Sequence, residues 1–174
     1  MQRTQRNLKM LSSLDDLFLD FLKDIYFAEK KILRSIPKLV RGATNPDLKT
    51  ALTNHREETE GQIERLQQVF EIIGKPARAK TCEAINGLVE ECDELFEDTE
   101  PDSIRDAGIV ACAQAIEHYE IARYGALIAW AKLAKKTDII TLLQQTLDEE
   151  KNANTLLNKI GVDKVNPDAL KQVS

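Results

Sequence analysis

The sequence predicts an all-α protein of one domain, and three observations carry that expectation. Apolar residues recur at helical spacing in four long segments. Stretches that alternate apolar and polar residues, the mark of strands, are almost absent. Each long segment is bounded by residues that start and stop helices, and 174 residues with 43% apolar content suffice for one substantial core but not for two.

The first segment, about 13–41, takes Ser12 or Ser13 as N-cap and carries Leu14, Phe18, Phe21, Leu22, Ile25, Ile32 and Ile36 on one face. It is expected to kink at Pro37 and to stop at Gly42. The second, about 46–73, opens on Asn45 with Pro46 at the first helical position, and its face of Leu52, Leu66, Val69, Phe70 and Ile73 runs to Gly74. A long connection follows, holding one short amphipathic helix, about 82–97, through Ile85, Leu88, Val89, Cys92 and Leu95. The third long segment comes after Pro101 and spans about 102–135. The fourth, about 138–160, opens at Thr137, carries Ile140, Leu143, Leu147 and Leu157, and is expected to stop at Gly161. Residues 161–174 read as an extended arm or a short helix. Short links after the first and third long helices favour antiparallel pairs. One long link between the pairs is the connectivity of a ferritin-like four-helix bundle, up-down-down-up, with the short helix in its crossover.

Composition excludes several partners. Net charge is −5, with acids and bases interleaved, so no basic stripe is offered to nucleic acid. No run of roughly 18 apolar residues can span a bilayer. The opening "MQRTQRNLKML" is basic but has neither the apolar stretch nor the small-residue cleavage site of a secretory signal, so a cytoplasmic protein is expected. Cys82, Cys92 and Cys112 are odd in number and lack CxxC spacing, and read as buried or incidental thiols rather than a disulfide framework or a thiolate zinc site.

The helical stripes carry acids where apolar residues belong. In "QAIEHYEIARYGAL", Glu117 and Glu120 fall within the line of Ala113, Ile121, Tyr124 and Ile128. Glu29 lies between Ile25 and Ile32 on the first helix. On the second, the stripe through Leu52 and Leu66 passes His55, Glu58 or Thr59, and Gln62, with His55 and Glu58 sharing a face. On the fourth, the line Leu143, Leu147, Glu150, Asn154, Leu157 sends Glu150 and Asn154 inward. Any one of these is ordinary, since a core-edge Glu snorkels to solvent. Together, Glu29, Glu58, Glu117, Glu120, Glu150 and His55 come from all four helices at one depth, and five carboxylates cannot converge in a dry core unless cations neutralise them. Two divalent metal ions per chain satisfy that condition. A carboxylate-rich set with one imidazole suits iron, with manganese the alternative. Tyr124, one turn past Glu120, is placed to hydrogen-bond a ligand carboxylate, to relay an electron or to fill the core; Tyr26 is a weaker candidate for a place beside the ligands. His118 points away from Glu117.

The segments "DIYFAEKKI", "HREETEGQIERLQQVFEIIG", "AIEHYEIARYGAL" and "TLDEEKNANTLLNKI" resemble the YciE/YciF family of bacterial stress-associated proteins, and the likeness covers nearly the whole chain. The resemblance implies a ferritin-like bundle, a dinuclear centre similar to that of rubrerythrin, and a dimer. The family's ligands fall on Glu29, His55, Glu58, Glu117, Glu120 and Glu150. Two departures stand out. The order His55 to Glu58 reverses the usual ExxH of ferritin-like helices, and Asn154 stands where the family is expected to have Asp, which makes it a hydrogen-bonding neighbour of the ligands. The expected function is dimetal binding in stress response, with O2 or peroxide as reactant. The alternative is a non-enzymatic helical dimer in which metal is structural or absent. Trp130, Leu133 and the crossover helix supply apolar patches for a two-fold homodimer.

Overall fold

A computed structural model describes residues 10–172. The first nine residues, most of the stretch weighed above as a secretory signal, and the last two of the tail lie outside the described residues. The described chain is helical throughout: α1 (Leu14–Gly42), α2 (Pro46–Ile72), α3 (Glu83–Asp98), α4 (Ser103–Leu133), α5 (Thr137–Ile160) and α6 (Asn166–Gln172), with a π-helical turn, Gly161–Val165, joining the last two.

The starts of the helices follow from side chains that satisfy the first free backbone N–H groups. Ser13 Oγ accepts from Asp16 N at 3.0 Å, Asn45 Oδ1 from Asp47 N and Leu48 N at 3.0 and 3.1 Å, and Asp102 Oδ1 from Ile104 N and Arg105 N at 2.9 and 3.1 Å. Each such cap is worth about 1 kcal/mol. Gly74 closes α2 with φ of +65°, the left-handed conformation that glycine adopts without penalty. Gly42, expected to stop α1 in the same way, has another task. The chain leaves α1 through extended Ala43, and a Cβ on Gly42 would lie 1.9 Å from the Phe96 ring. A Cβ on Gly108 would come within 2.5 Å of Leu95. These two glycines let α3 settle against α1 and α4.

α1 packs on α2 and α4, and α5 packs on the same two helices from the other side, so each long helix has two long neighbours. Tyr26 of α1 meets Gln67 of α2, Phe21 of α1 meets Trp130 of α4 edge-on with centroids 5.1 Å apart, and Arg65 of α2 pairs with Glu149 of α5. Leu22, Ile25, Leu66, Phe70, Ile109, Leu127 and Ile139 are fully buried between them. Burying such side chains contributes about 1.5–3 kcal/mol each. The corner between α1 and α2 is pinned from α4: buried Asp106 accepts hydrogen bonds from Thr44 N at 2.7 Å, Thr44 Oγ1 at 2.5 Å and Asn45 N at 2.8 Å.

The tail differs from expectation. Gly161 does not stop α5; its φ of −60° and ψ of −55° are helical, and the chain passes through the π turn into α6. A Cβ at Gly161 would stand 3.1 Å from Val110 Cγ1, so its smallness serves an approach to α4 rather than a stop. α6 lies along the start of α4, where Gln172 donates to Asp102 at 2.6 Å. Among the described residues no helix is long and apolar enough to cross a membrane.

Candidate metal centre

Four helices send polar side chains to one depth of the core. Glu29 (α1), His55 (α2), Glu117 and Glu120 (α4) and Glu150 (α5) are all buried, none more than 7% exposed. One ligating atom from each of His55, Glu117, Glu120 and Glu150 falls within 4.8 Å of the others. His55 Nε2 lies 3.3 Å from Glu117 Oε1. Glu29 adjoins this group, and its Oε1 accepts from the fully buried hydroxyl of Tyr124. Gln62, one of the inward residues of α2, donates to Glu150 Oε1 and, at 3.2 Å, to Glu149 Oε2.

The electrostatics are those of a crowded anionic pocket. Burial, then the charge of Glu150, pushes Glu29 up to about 8 from 4.5. Burial pushes Glu117 up to about 7. Glu120 is held well above the carboxylate range by burial and by Glu29, Glu150 and Glu117, and Glu150 likewise by burial and by Glu117 beside it. Burial pushes the His55 imidazolium down, but Glu58, Glu150 and Glu29 outweigh it and leave His55 above its ordinary value. These groups compete for protons because burial strips them of water and their charges repel, with His55 compensating Glu29 and Glu150 in part.

Hydrogen bonding tells the same story. Among the described residues, every buried side-chain oxygen or nitrogen without a hydrogen-bond partner belongs to Glu29, His55, Glu117, Glu120, Glu150 or the adjacent Gln62. Both oxygens of Glu120 and both ring nitrogens of His55 are orphaned in this way. Buried polar groups are ordinarily paired, and orphans gathered at a single point mark a place where a ligand completes the set. One imidazole with several carboxylates is the donor chemistry of a hard or borderline divalent cation, and the residues present fit one.

Several expected placements differ. Glu58 does not enter the core: its side chain is 44% exposed, and its carboxylate stands 3.6 Å from His55 Nδ1, too far for a hydrogen bond. The buried line of α2 runs His55, Thr59, Gln62, Leu66, so Thr59 takes the inward phase and Glu58 the rim. Asn154 is half-buried and accepts from Gln114 Nε2 at 3.1 Å rather than from the cluster. The Tyr26 hydroxyl accepts from Gln67 Nε2 at 3.1 Å, away from the acids. His118 is exposed. The sequence reading saw Gln62 on the buried stripe but gave it no part in the site; an amide facing the line of Glu150 was the available signal. Asp106 was missed as well, since a lone acid in the first turn of a helix looks like an ordinary dipole partner.

Residues 13–170 match a family described as a domain of unknown function, DUF892. The protein YciF of Escherichia coli strain K12 is 42% identical over 161 residues, covering 91% of this chain and 96% of its own. The crystal structure of that E. coli stress protein superposes with a TM-score of 0.85 at 40% identity, over 90% of this chain and 99% of the other. YcfI of Rhodopseudomonas palustris matches with a TM-score of 0.84 at 49% identity, over 87% and 96%. The helical architecture, the conjunction of one histidine with buried glutamates and this similarity end to end agree: the chain belongs to the DUF892 family, among relatives of the stress protein YciF.

Proposed function

We propose that the protein is a ferritin-like four-helix metal-binding protein of bacterial stress response that holds two divalent ions, iron by preference and manganese as the alternative, in the cluster of Glu29, His55, Glu117, Glu120 and Glu150, with Glu58 as a ligand at the rim. The observation that carries this reading is the gathering of orphaned buried donors at one point. When bound, such a pair supplies redox chemistry toward O2 or peroxide. The chain's own part is to hold the carboxylates at fixed depth, to keep bulk water out with a core of Leu and Ile, and to orient Glu29 through Tyr124 and Glu150 through Gln62. Arg65, bound to Glu149 and Thr146, stiffens the α2–α5 side of the site. Helix pairs joined by short turns, with α3 in the long crossover, support the up-down-down-up arrangement.

The test is metal analysis of protein purified without chelator, then anaerobic loading with Fe(II) and exposure to O2 or peroxide. Near two metals per chain with fast oxidation is the expected result; one metal, or binding without oxidation, points to a structural ion, and no binding ends the proposal. A metal that binds only the folded chain at about a hundred times its Kd raises stability by about 2.7 kcal/mol, which calorimetry reads independently of turnover. We further propose a cytoplasmic two-fold homodimer, supported by Leu133, which is 74% exposed beside the half-buried Trp130. Light scattering that finds a monomer at micromolar concentration refutes it.

A further inference from the structure

A cavity of about 140 Å³ adjoins the cluster. Its walls include Ile32, Ile36, Leu52, Ala113, Ile116 and Leu157, all buried. They follow Glu29 on α1, precede His55 on α2, precede Glu117 on α4 and follow Glu150 on α5, so the space runs from the acids toward one end of the helices. Its polar floor is His55 and Glu117, 7% and 2% exposed, and both ring nitrogens of His55 and Oε2 of Glu117 lack hydrogen-bond partners. Exposed Asn54, Glu58 and Asn152 border it, with Leu156 among them. The space therefore reaches solvent past these residues, with apolar walls leading in to His55 and Glu117.

We propose that this cavity binds a neutral, phenol-sized organic molecule, with its ring between Ile32, Leu52, Ile116 and Leu157 and its single hydroxyl on His55 and Glu117. The size argument is direct, because an apolar cavity of about 150 Å³ takes up benzene. The charge argument excludes an organic anion, which would face Glu58 and Glu117, and an ammonium, which only donates, could not accept from the imidazole beside the carboxylate, so the neutral class is selected. A hydroxyl serves both orphaned partners, donating to the carboxylate and accepting from the imidazole. The pose belongs to the metal-free chain, in which His55 and Glu117 are free to hold the hydroxyl, and as a binding site it rests on the walls and floor alone, not on the reading of the cluster as a metal centre.

The test uses the full metal-free chain. Phenol is titrated in while the side-chain NMR signals of His55, Ile116 and Leu157 are followed, with benzoate as the charged comparison. The expected result is saturable shifts confined to these residues, contacts between phenol protons and the Ile116 methyls, and binding of benzoate at least tenfold weaker. Ala113→Phe fills the space and is expected to weaken phenol binding at least tenfold while melting cooperatively; if that variant does not fold, the Ile116 contacts in the unaltered protein decide the matter. Absence of saturation at millimolar phenol, shifts elsewhere in the molecule, equal binding of benzoate, or unchanged binding by folded Ala113→Phe overturns the proposal. Phenol binding in a chain that takes no metal removes the metal reading and leaves the cavity site standing, whereas metal uptake without phenol binding does the reverse.

Discussion

Asp106 and Glu120 are both buried acids on α4, exposed by 2% and 0%, yet their surroundings are opposite. Asp106 accepts from two backbone N–H groups and a hydroxyl of the α1–α2 corner. Glu120 has no partner on either oxygen and faces Glu29, Glu117 and Glu150. Burial by itself therefore does not separate the two acids; hydrogen bonding does. A carboxylate fully supplied with donors stabilises the fold as it stands, while one left bare among its own kind stabilises only what arrives to bind it.

The sharpest way to break this comparison is Asp106→Ala. It strands two backbone donors and the Thr44 hydroxyl, each costing about 1–3 kcal/mol, so urea denaturation is expected to show a loss of about 3 kcal/mol or more. Metal bound per folded molecule is expected to stay unchanged. Loss of metal with little loss of stability would exchange the roles assigned to the two acids.

A pH series on metal-free protein is expected to give the next largest change. Glu29 and Glu117 hold protons up to about 8 and about 7 in the folded chain, against 4.5 as ordinary carboxyls, so the folded state binds more protons than the unfolded across that interval. Their contribution is fully present below about 4.5 and is lost as pH rises through about 7 and 8. His55, also raised, acts in the same direction. Denaturation midpoints are therefore expected to fall steadily as pH rises between about 5 and 8, and metal is expected to flatten the slope. A metal-free protein that gains stability over that range would contradict the crowding of acids.

Glu120→Leu sharpens the contrast from the other side. Replacing a bare buried acid by an apolar chain of similar size is expected to raise metal-free stability by about 1–2 kcal/mol at pH 8 and to abolish the rise in Tm on adding metal. A variant that still takes up metal in full would remove Glu120 from the site. The smallest effect belongs to Glu58→Gln: with its side chain 44% exposed, it is expected to change stability by less than about 0.5 kcal/mol, and to lower the pKa of His55 by removing a neighbouring charge. A large loss of stability would place Glu58 inside the core after all.

Two helix starts were open to reading because they depend on nearest neighbours: Ser13 and Asn45 bond residues two or three positions ahead, whereas the Asp102 cap after Pro101 went unnamed. The inward acids were visible too, as breaks in an apolar stripe. What escaped depended on rotation or on distant chain. On α2 the choice between Glu58 and Thr59 is a choice between phases 100° apart, and the sequence pattern left both open. Gly42 and Gly161 looked like stops, since their true neighbours, Phe96 and Val110, are remote in sequence. Asp106 needed Thr44, which lies 62 positions away.

The corner held by Asp106 also sets a length scale. It ties the beginnings of α2 and α4 to one level, and side chains of the two helices meet across the core at His55 and Glu117. From Asn45 to His55 is ten residues, and from Asp106 to Glu117 eleven, so each helix advances about 15–16 Å between the two meetings. The corner thus serves as the zero of a ruler along which both donors are read off at the same mark. One residue inserted into either span would slide its donor by about 1.5 Å and swing it by about 100°, away from its counterpart. Length between these two points is therefore as much a part of the site as the residues that form it.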